Sequence, residues 1–134
     1  MPPKRYVTDF DCYRLETLIL TARNPGSSIG IFLDRLAKIL KQSEIVAPEK
    51  IPRSVVTMNS RVLLKDIVSN EELNMSLVFP TDADHGRGFD HFRVSILTPI
   101  GLSVFGRKVT DLLCERIQVQ RLLYQPEAAG HFNL

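Results

Sequence analysis

The amino-acid sequence predicts an α+β fold: an N-terminal antiparallel helical hairpin (a short coiled coil), followed by a module of antiparallel β-strands with one short helix. Two changes of pattern predict it. Before position 47, apolar residues recur at intervals of three and four, as on one face of a helix. After position 48, β-branched runs and alternating apolar residues predominate. Because Pro48 and Pro52 prevent helix continuation between them, we expect domains at 1–47 and 48–134.

The hairpin is predicted from two apolar stripes and the turn between them. Thr8 and Asp11 resemble a capping box at the start of the first helix, with Asp in place of the usual Glu. The segment Asn-Pro-Gly-Ser at 24–27 is typical of a turn, after which Ser27 or Ser28 can cap the second helix. Two helices of about 15 residues would give a hairpin about 22 Å long. The stripes comprise Phe10, Leu15, Leu18, Ile19 and Ala22, then Ile29, Phe32, Leu33, Leu36, Ile39 and Leu40.

The second domain is predicted from alternating segments. Strands are expected at 61–68 and 73–79, with a turn between them, and again at 92–97. Pro99 suits the first position of a short helix, and Gly106 suits the position just past its end. The segment 112–124 is rich in strand formers and predicts one or two further strands, with Cys114 in the core. Asn59-Ser60 is expected to be a bulge or a turn.

Composition excludes several classes of function. Of the 134 residues, 17 are Lys or Arg and 15 are Asp or Glu, giving a net charge of +2 without a dense basic run. We therefore expect no direct sequence-specific nucleic-acid binding. No apolar run approaches the roughly 18–20 residues that span a membrane, and the basic start lacks the apolar core of a secretory signal. With Cys12 and Cys114 far apart in sequence, the simplest interpretation is a cytoplasmic protein with reduced thiols.

Candidate chemistry is sparse. A polar loop holds the one dense group of possible metal ligands, but it matches no metal motif, and a solvated loop is the favoured interpretation. No nucleophile elbow, phosphate loop or dinucleotide fingerprint occurs, so we expect no catalytic residues, no metal and no cofactor. The short apolar helix at 99–105 cannot turn all its apolar residues one way; they either close over the sheet or leave a surface for a partner. The loop ligands are Asp82, Asp84, His85, Asp90 and His91.

Five segments of the second domain carry a recognisable pattern: "VVTMNSRV" at 55–62, "LVFP" at 77–80, "TPIGLSVFG" at 98–106, "VTD" at 109–111 and "YQPEAAG" at 124–130. Together and in this order they resemble the Rnk family (regulators of nucleoside diphosphate kinase) within the wider Gre-factor group of transcription elongation factors. The resemblance covers most of residues 42–134. Thr98 stands where the family usually has Ser or Ala, and Thr110 where it has Gly. The stretch before Tyr124 is shorter than in the family, so its two strands are expected to be trimmed or fused.

The resemblance implies an FKBP-like C-terminal module that docks at the mouth of the RNA polymerase secondary channel. Gre factors carry acidic residues at the hairpin tip that help hold a catalytic Mg²⁺, an ion that prefers oxygen ligands. Here the nearest acids to the tip are Glu16 and Asp34. The docking residues implied by the resemblance are Thr98, Pro99, Ile100, Gly101 and Phe105, and the tip residues are Arg23, Asn24, Pro25, Gly26 and Ser27.

The prediction is therefore a non-enzymatic, monomeric transcription regulator. It would bind RNA polymerase, compete with Gre-type factors without stimulating transcript cleavage, and influence the level of nucleoside diphosphate kinase indirectly. The alternatives are an FKBP-like peptidyl-prolyl isomerase, for which the aromatic residues are few and the chain has no Trp, and a general protein-interaction module.

Overall fold

The structure is a computed structural model that describes residues 4–22, 29–83 and 92–132. In these ranges the chain has three α-helices, seven strands and two short 3₁₀ helices, at Pro48–Lys50 and Pro80–Asp82. This arrangement confirms the predicted α+β fold. The elements are β1 Tyr6–Thr8, α1 Asp9–Ala22, α2 Gly30–Gln42, β2 Glu44–Val46, β3 Arg61–Asp66, β4 Glu72–Val78, β5 Phe92–Ser95, α3 Pro99–Val104, β6 Leu112–Leu113 and β7 Ile117–Tyr124.

Helices α1 and α2 form the hairpin. Helix α1 begins where predicted, because Thr8 Oγ1 accepts a hydrogen bond from the Asp11 backbone N–H at 3.0 Å. Asp11 is nevertheless not the acid of a capping box, since its carboxylate accepts from other groups instead. Helix α2 has Ile29 at its N-cap position, whereas the predicted caps Ser27 and Ser28 lie outside the described residues. At 14 and 13 residues the helices are each about 20 Å long.

The main sheet has five strands in the order β5-β4-β3-β7-β6. Strands β3 and β4 pair antiparallel, as the predicted turn between them requires, and β3 and β7 also pair antiparallel. Strands β4 and β5 pair parallel, from Met75 with Phe92 to Val78 with Ser95. The prediction of an entirely antiparallel sheet is therefore wrong. The segment 79–91 is long enough to bring the chain back to the start of β4, whereas a tight turn would enforce antiparallel pairing.

Two further differences concern short elements. Strands β1 and β2 pair parallel over three residues each, too short for the sequence pattern to reveal. In the final hairpin, β6 has only two residues and pairs antiparallel with β7. Of the two expected outcomes, trimmed or fused strands, the structure therefore has the trimmed one. Cys114 is exposed with φ of 48°, at the turn between β6 and β7, so its predicted place in a core strand is wrong. Strand β6 ends at Leu113, so Cys114 is the first residue of the turn that leads into β7.

One apolar core runs across the predicted domain boundary at 47/48. Hairpin residues and sheet residues belong to the same buried cluster, and β1 joins the base of the hairpin to β2. The hairpin therefore rises directly from the core of the molecule. Buried members before the boundary are Val7, Leu15, Leu33, Leu36 and Leu40; members after it include Val56, Met58, Val62, Leu64, Met75, Leu77, Leu102 and Phe105.

Candidate functional site

The turn into α3 is built around Thr98. Its Oγ1 accepts a hydrogen bond from the Gly101 backbone N–H at 3.1 Å and donates one to the Ser95 carbonyl at 2.7 Å. Pro99 follows at the first helical position, where its missing N–H would have had no helical partner. Thr98 thus fixes α3 to the end of β5 and presents Pro99 at the helix start.

Gly101 allows α3 to approach the end of β5 closely. A Cβ atom built at this position would lie 2.3 Å from the Ser95 carbonyl oxygen and 3.0 Å from the Ile96 Cα. Both are backbone atoms and cannot turn aside. Gly101 is therefore a packing residue, and its position explains why a Thr-Pro-x-Gly sequence suits this turn.

Exposure divides the residues that the resemblance assigned to docking. Pro99 is exposed, Thr98 and Ile100 are partly buried, and Gly101 is buried. Phe105 is fully buried in the core, so its side chain is unavailable to a partner and we remove it from the docking surface. The side chain of Leu102 is also fully buried in the core. The apolar residues of α3 mostly close over the sheet, so the candidate docking residues that a partner could reach are Thr98, Pro99 and Ile100.

The C-terminal end of α3 is held by the start of the chain. The Arg5 guanidinium donates to the carbonyl of Leu102 and, at 2.9 Å, to the carbonyl of Phe105. Gly106 follows with φ of +76°, as predicted for the residue past the helix end, and its carbonyl accepts from the Tyr6 N–H at 3.2 Å. Burial lowers the pKa of Arg5 to about 10, so the guanidinium keeps its charge at neutral pH.

An open groove of about 420 Å³ lies beside the docking surface. It begins at Thr98 and follows β5, where Phe92 is 43% exposed. Its walls come from segments that are separate in the sequence, so no local sequence pattern predicts this groove. The lining residues are Leu73, Pro80, Ala83, Phe92, Arg93, Val94, Ser95 and Thr98.

A buried polar contact joins the hairpin to the sheet module. The Asp11 carboxylate accepts from Arg14 at 2.6 Å and from the Met58 backbone N–H at 3.0 Å. The Arg14 guanidinium also lies over the rings of Phe10 and Phe79, at 4.2 and 4.8 Å from their centroids. Burial raises the pKa of Asp11 to about 6, although both hydrogen bonds oppose that shift. These contacts fix the base of the hairpin on the module.

Two segments of the resemblance, 55–62 and 124–130, hold the fold together through hydrogen bonds to each other and to their neighbours. Asn59, with φ of 66°, forms the predicted turn, in which Ser60 Oγ accepts from the Thr57 N–H at 2.9 Å. Thr57 Oγ1 donates to Glu127 at 2.7 Å. The Gln125 side-chain amide donates to the carbonyls of Pro52 and Val55 at 2.9 and 2.7 Å. The segment 124–130 thereby fastens the end of the chain to 52–60.

The hairpin tip, with Arg23, Asn24, Pro25, Gly26 and Ser27, lies outside the described residues. The sequence from Thr17 to Leu33 contains no Asp or Glu.

On α1, Cys12 Sγ lies 2.9 Å from Glu16 Oε1. The pKa of Cys12 is raised to about 12, mainly by burial and secondly by the Glu16 carboxylate, so the thiol is protonated at neutral pH.

Of the predicted loop ligands only Asp82 is described; Asp84, His85, Asp90 and His91 are not. Among the residues that the structure describes, no group of three or more His, Cys, Asp or Glu side chains could hold a metal ion. Over the same residues, no helix has the length and apolar character that crossing a membrane requires.

Comparison with known proteins identifies the family. The family model described as "Transcription elongation factor, GreA/GreB, C-term" matches residues 51–114. A regulator of nucleoside diphosphate kinase from Escherichia coli (strain K12) is 29% identical over 140 residues, with 98% of each chain covered. A GreA from Clostridium beijerinckii is 32% identical over 79 residues, which are 59% of this chain and 47% of that protein, so this chain matches about half of GreA.

A solved structure agrees with the sequence comparisons. The GreA/GreB elongation factor from Nitrosomonas europaea is 33% identical and superposes with a TM-score of 0.70, over 91% of this chain and 99% of that one. The two folds thus agree over nearly the full length of that relative. The chain therefore belongs to the GreA/GreB family of transcription elongation factors.

Proposed function

We propose that this protein binds RNA polymerase at the rim of the secondary channel and competes there with Gre-type factors without stimulating transcript cleavage. It acts as a transcription-related regulator, as its family indicates. The observation that carries the proposal is the combination of an intact turn into α3 with a hairpin whose sequence contains no acid from Thr17 to Leu33.

Docking is assigned to the exposed corner at the start of α3. Pro99 projects from a turn that is fixed by Thr98 at one end of the helix and by Arg5 at the other. Fixing both ends lowers the conformational entropy lost on binding. The adjacent groove along β5 provides apolar surface next to the polar turn, as partner-binding sites commonly do.

The absence of cleavage follows from length and charge. Helices of 14 and 13 residues reach about 20 Å from the base of the hairpin. Glu16 and Asp34, the acids nearest the tip in the sequence, each lie about two turns from it. Mg²⁺ in a catalytic site requires carboxylate oxygens, and neither acid is placed to supply them at the tip. An effect on nucleoside diphosphate kinase would then be indirect, through transcription.

The test is binding of the purified protein to core RNA polymerase, with a Gre factor as competitor. Pro99→Ala should weaken binding about tenfold, since an exposed contact is lost while the turn keeps its Thr98 cap. Pro48→Ala is the matched control, because Pro48 occupies the first position of a 3₁₀ helix far from α3 in sequence. Equal affinity of both variants would place the contact elsewhere, and binding that the Gre factor leaves untouched would refute competition.

A further inference from the structure

The solvent-facing side of the main sheet carries a cluster of cations that the linear sequence conceals. On β3, Val62 and Leu64 are buried in the core, so Arg61 and Lys65 lie on the opposite side. Strand pairing sets Leu63 opposite Arg121 of β7. Arg121 therefore lies on the adjacent strand at a level between the two β3 cations, Arg61 and Lys65.

The cluster extends to both sides of these strands. Arg61 pairs with Ser76 of β4, and Ser76 pairs with Arg93 of β5, which places Arg93 two strands and about 10 Å from Arg61. At the end of β7, a shallow pocket of about 290 Å³ brings Arg53 beside Tyr124. We name Arg53, Arg61, Lys65, Arg93 and Arg121 the cationic face.

Two cations of this face, Lys65 and Arg121, have no acidic partner in the part of the chain that the structure describes. Glu72 stands directly opposite Lys65 across the β3–β4 pair, yet within the described ranges these two side chains form no ion pair. Arg61 donates through Nε to Asn74 at 3.0 Å, a neutral partner that orients its guanidinium along the sheet. Arg61, Lys65, Arg93 and Arg121 share one side of the sheet, and Arg53 lies at its edge beside Tyr124. Such a concentration of positive charge favours a polyanionic partner.

We propose that the cationic face binds single-stranded RNA, without sequence preference, through its phosphates. Guanidinium groups, which provide four of the five charges, match phosphate in a planar, bidentate geometry. Tyr124 pairs directly with Arg61 across the sheet, and His131 lies against it, with ring centroids 5.9 Å apart. Aromatic rings beside a cationic track are the arrangement on which bases of a single strand stack. An acidic protein segment would use the charges but gain nothing from the rings.

The test is fluorescence anisotropy of a labelled oligouridylate titrated with the full chain over a series of salt concentrations. Measurable binding at low salt is expected, weakening steeply as salt increases. The double variant Arg61→Gln/Arg121→Gln should flatten the logarithmic salt dependence by about 1.4, since each phosphate contact on a single strand contributes about 0.7. The matched control Lys38→Gln/Lys50→Gln removes the same net charge from two exposed positions on other elements and should leave the slope unchanged.

Several results would overturn the proposal. One is the absence of oligouridylate binding at low salt. Another is an equal loss of salt dependence in both double variants, since binding would then depend only on the net charge of the protein. An oligoglutamate of equal length that competes as strongly as RNA would assign the face to an acidic protein segment instead. Should the double variant fail to fold, Lys65→Gln alone should flatten the slope by about 0.7. Polymerase binding by these variants should be unchanged, which separates this proposal from the docking proposal.

Discussion

Gly101 is the residue on which the geometry of the docking turn depends most. Its lack of a side chain lets the start of α3 lie against the carbonyl of Ser95, while its N–H completes the cap from Thr98. Packing and capping therefore meet at one position. Gly101 does not have a positive φ, so glycine is required at this position only because a side chain would not fit.

Gly101→Ala should lower the free energy of unfolding by about 2–3 kcal/mol, because the added methyl would force backbone atoms of β5 and α3 apart. Gly30→Ala is the matched control, since a Cβ at Gly30, the first residue of α2, meets nothing within 4 Å. The control should be neutral or slightly stabilising. Urea unfolding of both variants measures the difference, and similar stabilities would contradict the close packing.

Asp11 predicts a pH-dependent contribution to stability. Its folded-state pKa of about 6 lies above the ordinary value of 3.8, so between these values the folded state binds more protons than the unfolded state. The contribution is therefore greatest at low pH and is lost as pH rises through about 6, by about 2–3 kcal/mol. Urea unfolding across that interval should show this slope in the wild type and not in Asp11→Asn. Parallel pH profiles for the two proteins would contradict it.

At the scale of elements, α3 is a short helix held at both ends by residues from outside it. Six residues provide few internal hydrogen bonds, so the cap from Thr98 and the two bonds from Arg5 largely determine its position. Arg5 precedes β1, which pairs with β2 at the base of the hairpin. The orientation of the docking turn thus depends on the N-terminal segment.

Arg5→Met should destabilise the fold by about 2 kcal/mol, since it removes two hydrogen bonds from a charged donor and leaves the carbonyls of Leu102 and Phe105 without that donor. It should also weaken polymerase binding. Lys4→Met, at the neighbouring position, removes only an exposed ion pair with Glu44 and should leave the unfolding midpoint unchanged. If both variants unfold alike, Arg5 does not hold α3.

The elements that the sequence predicted well are those whose evidence is local. The cap at Thr8, the alternation of β4, and the Pro99 and Gly106 boundaries of α3 are all visible within a few residues. The parallel pairing of β5 and the β1–β2 pair were missed, because they depend on where distant segments meet. Phe105 was assigned to the docking surface from a motif, whereas its burial follows from the sheet beneath it.

At the scale of the whole molecule, the hairpin and the docking turn share one core and one set of buried contacts. Asp11 and Arg14 fix the hairpin base on the module, and Arg5 fixes α3 on the same base. A partner bound at Pro99 would therefore also determine where the hairpin points. A hairpin of this length, without acids from Thr17 to Leu33, would occupy the channel mouth and supply no ligands for Mg²⁺.

The most direct test of this account is a transcript-cleavage assay on stalled RNA polymerase complexes, in which this protein is added alone and then in increasing amounts together with a Gre factor. The protein alone should not stimulate cleavage, and Gre-stimulated cleavage should fall progressively as the concentration of this protein rises. The Pro99→Ala variant should require about ten times more protein for the same loss. Cleavage stimulated by the protein alone, or Gre-stimulated cleavage that persists at saturating concentrations, would contradict this account.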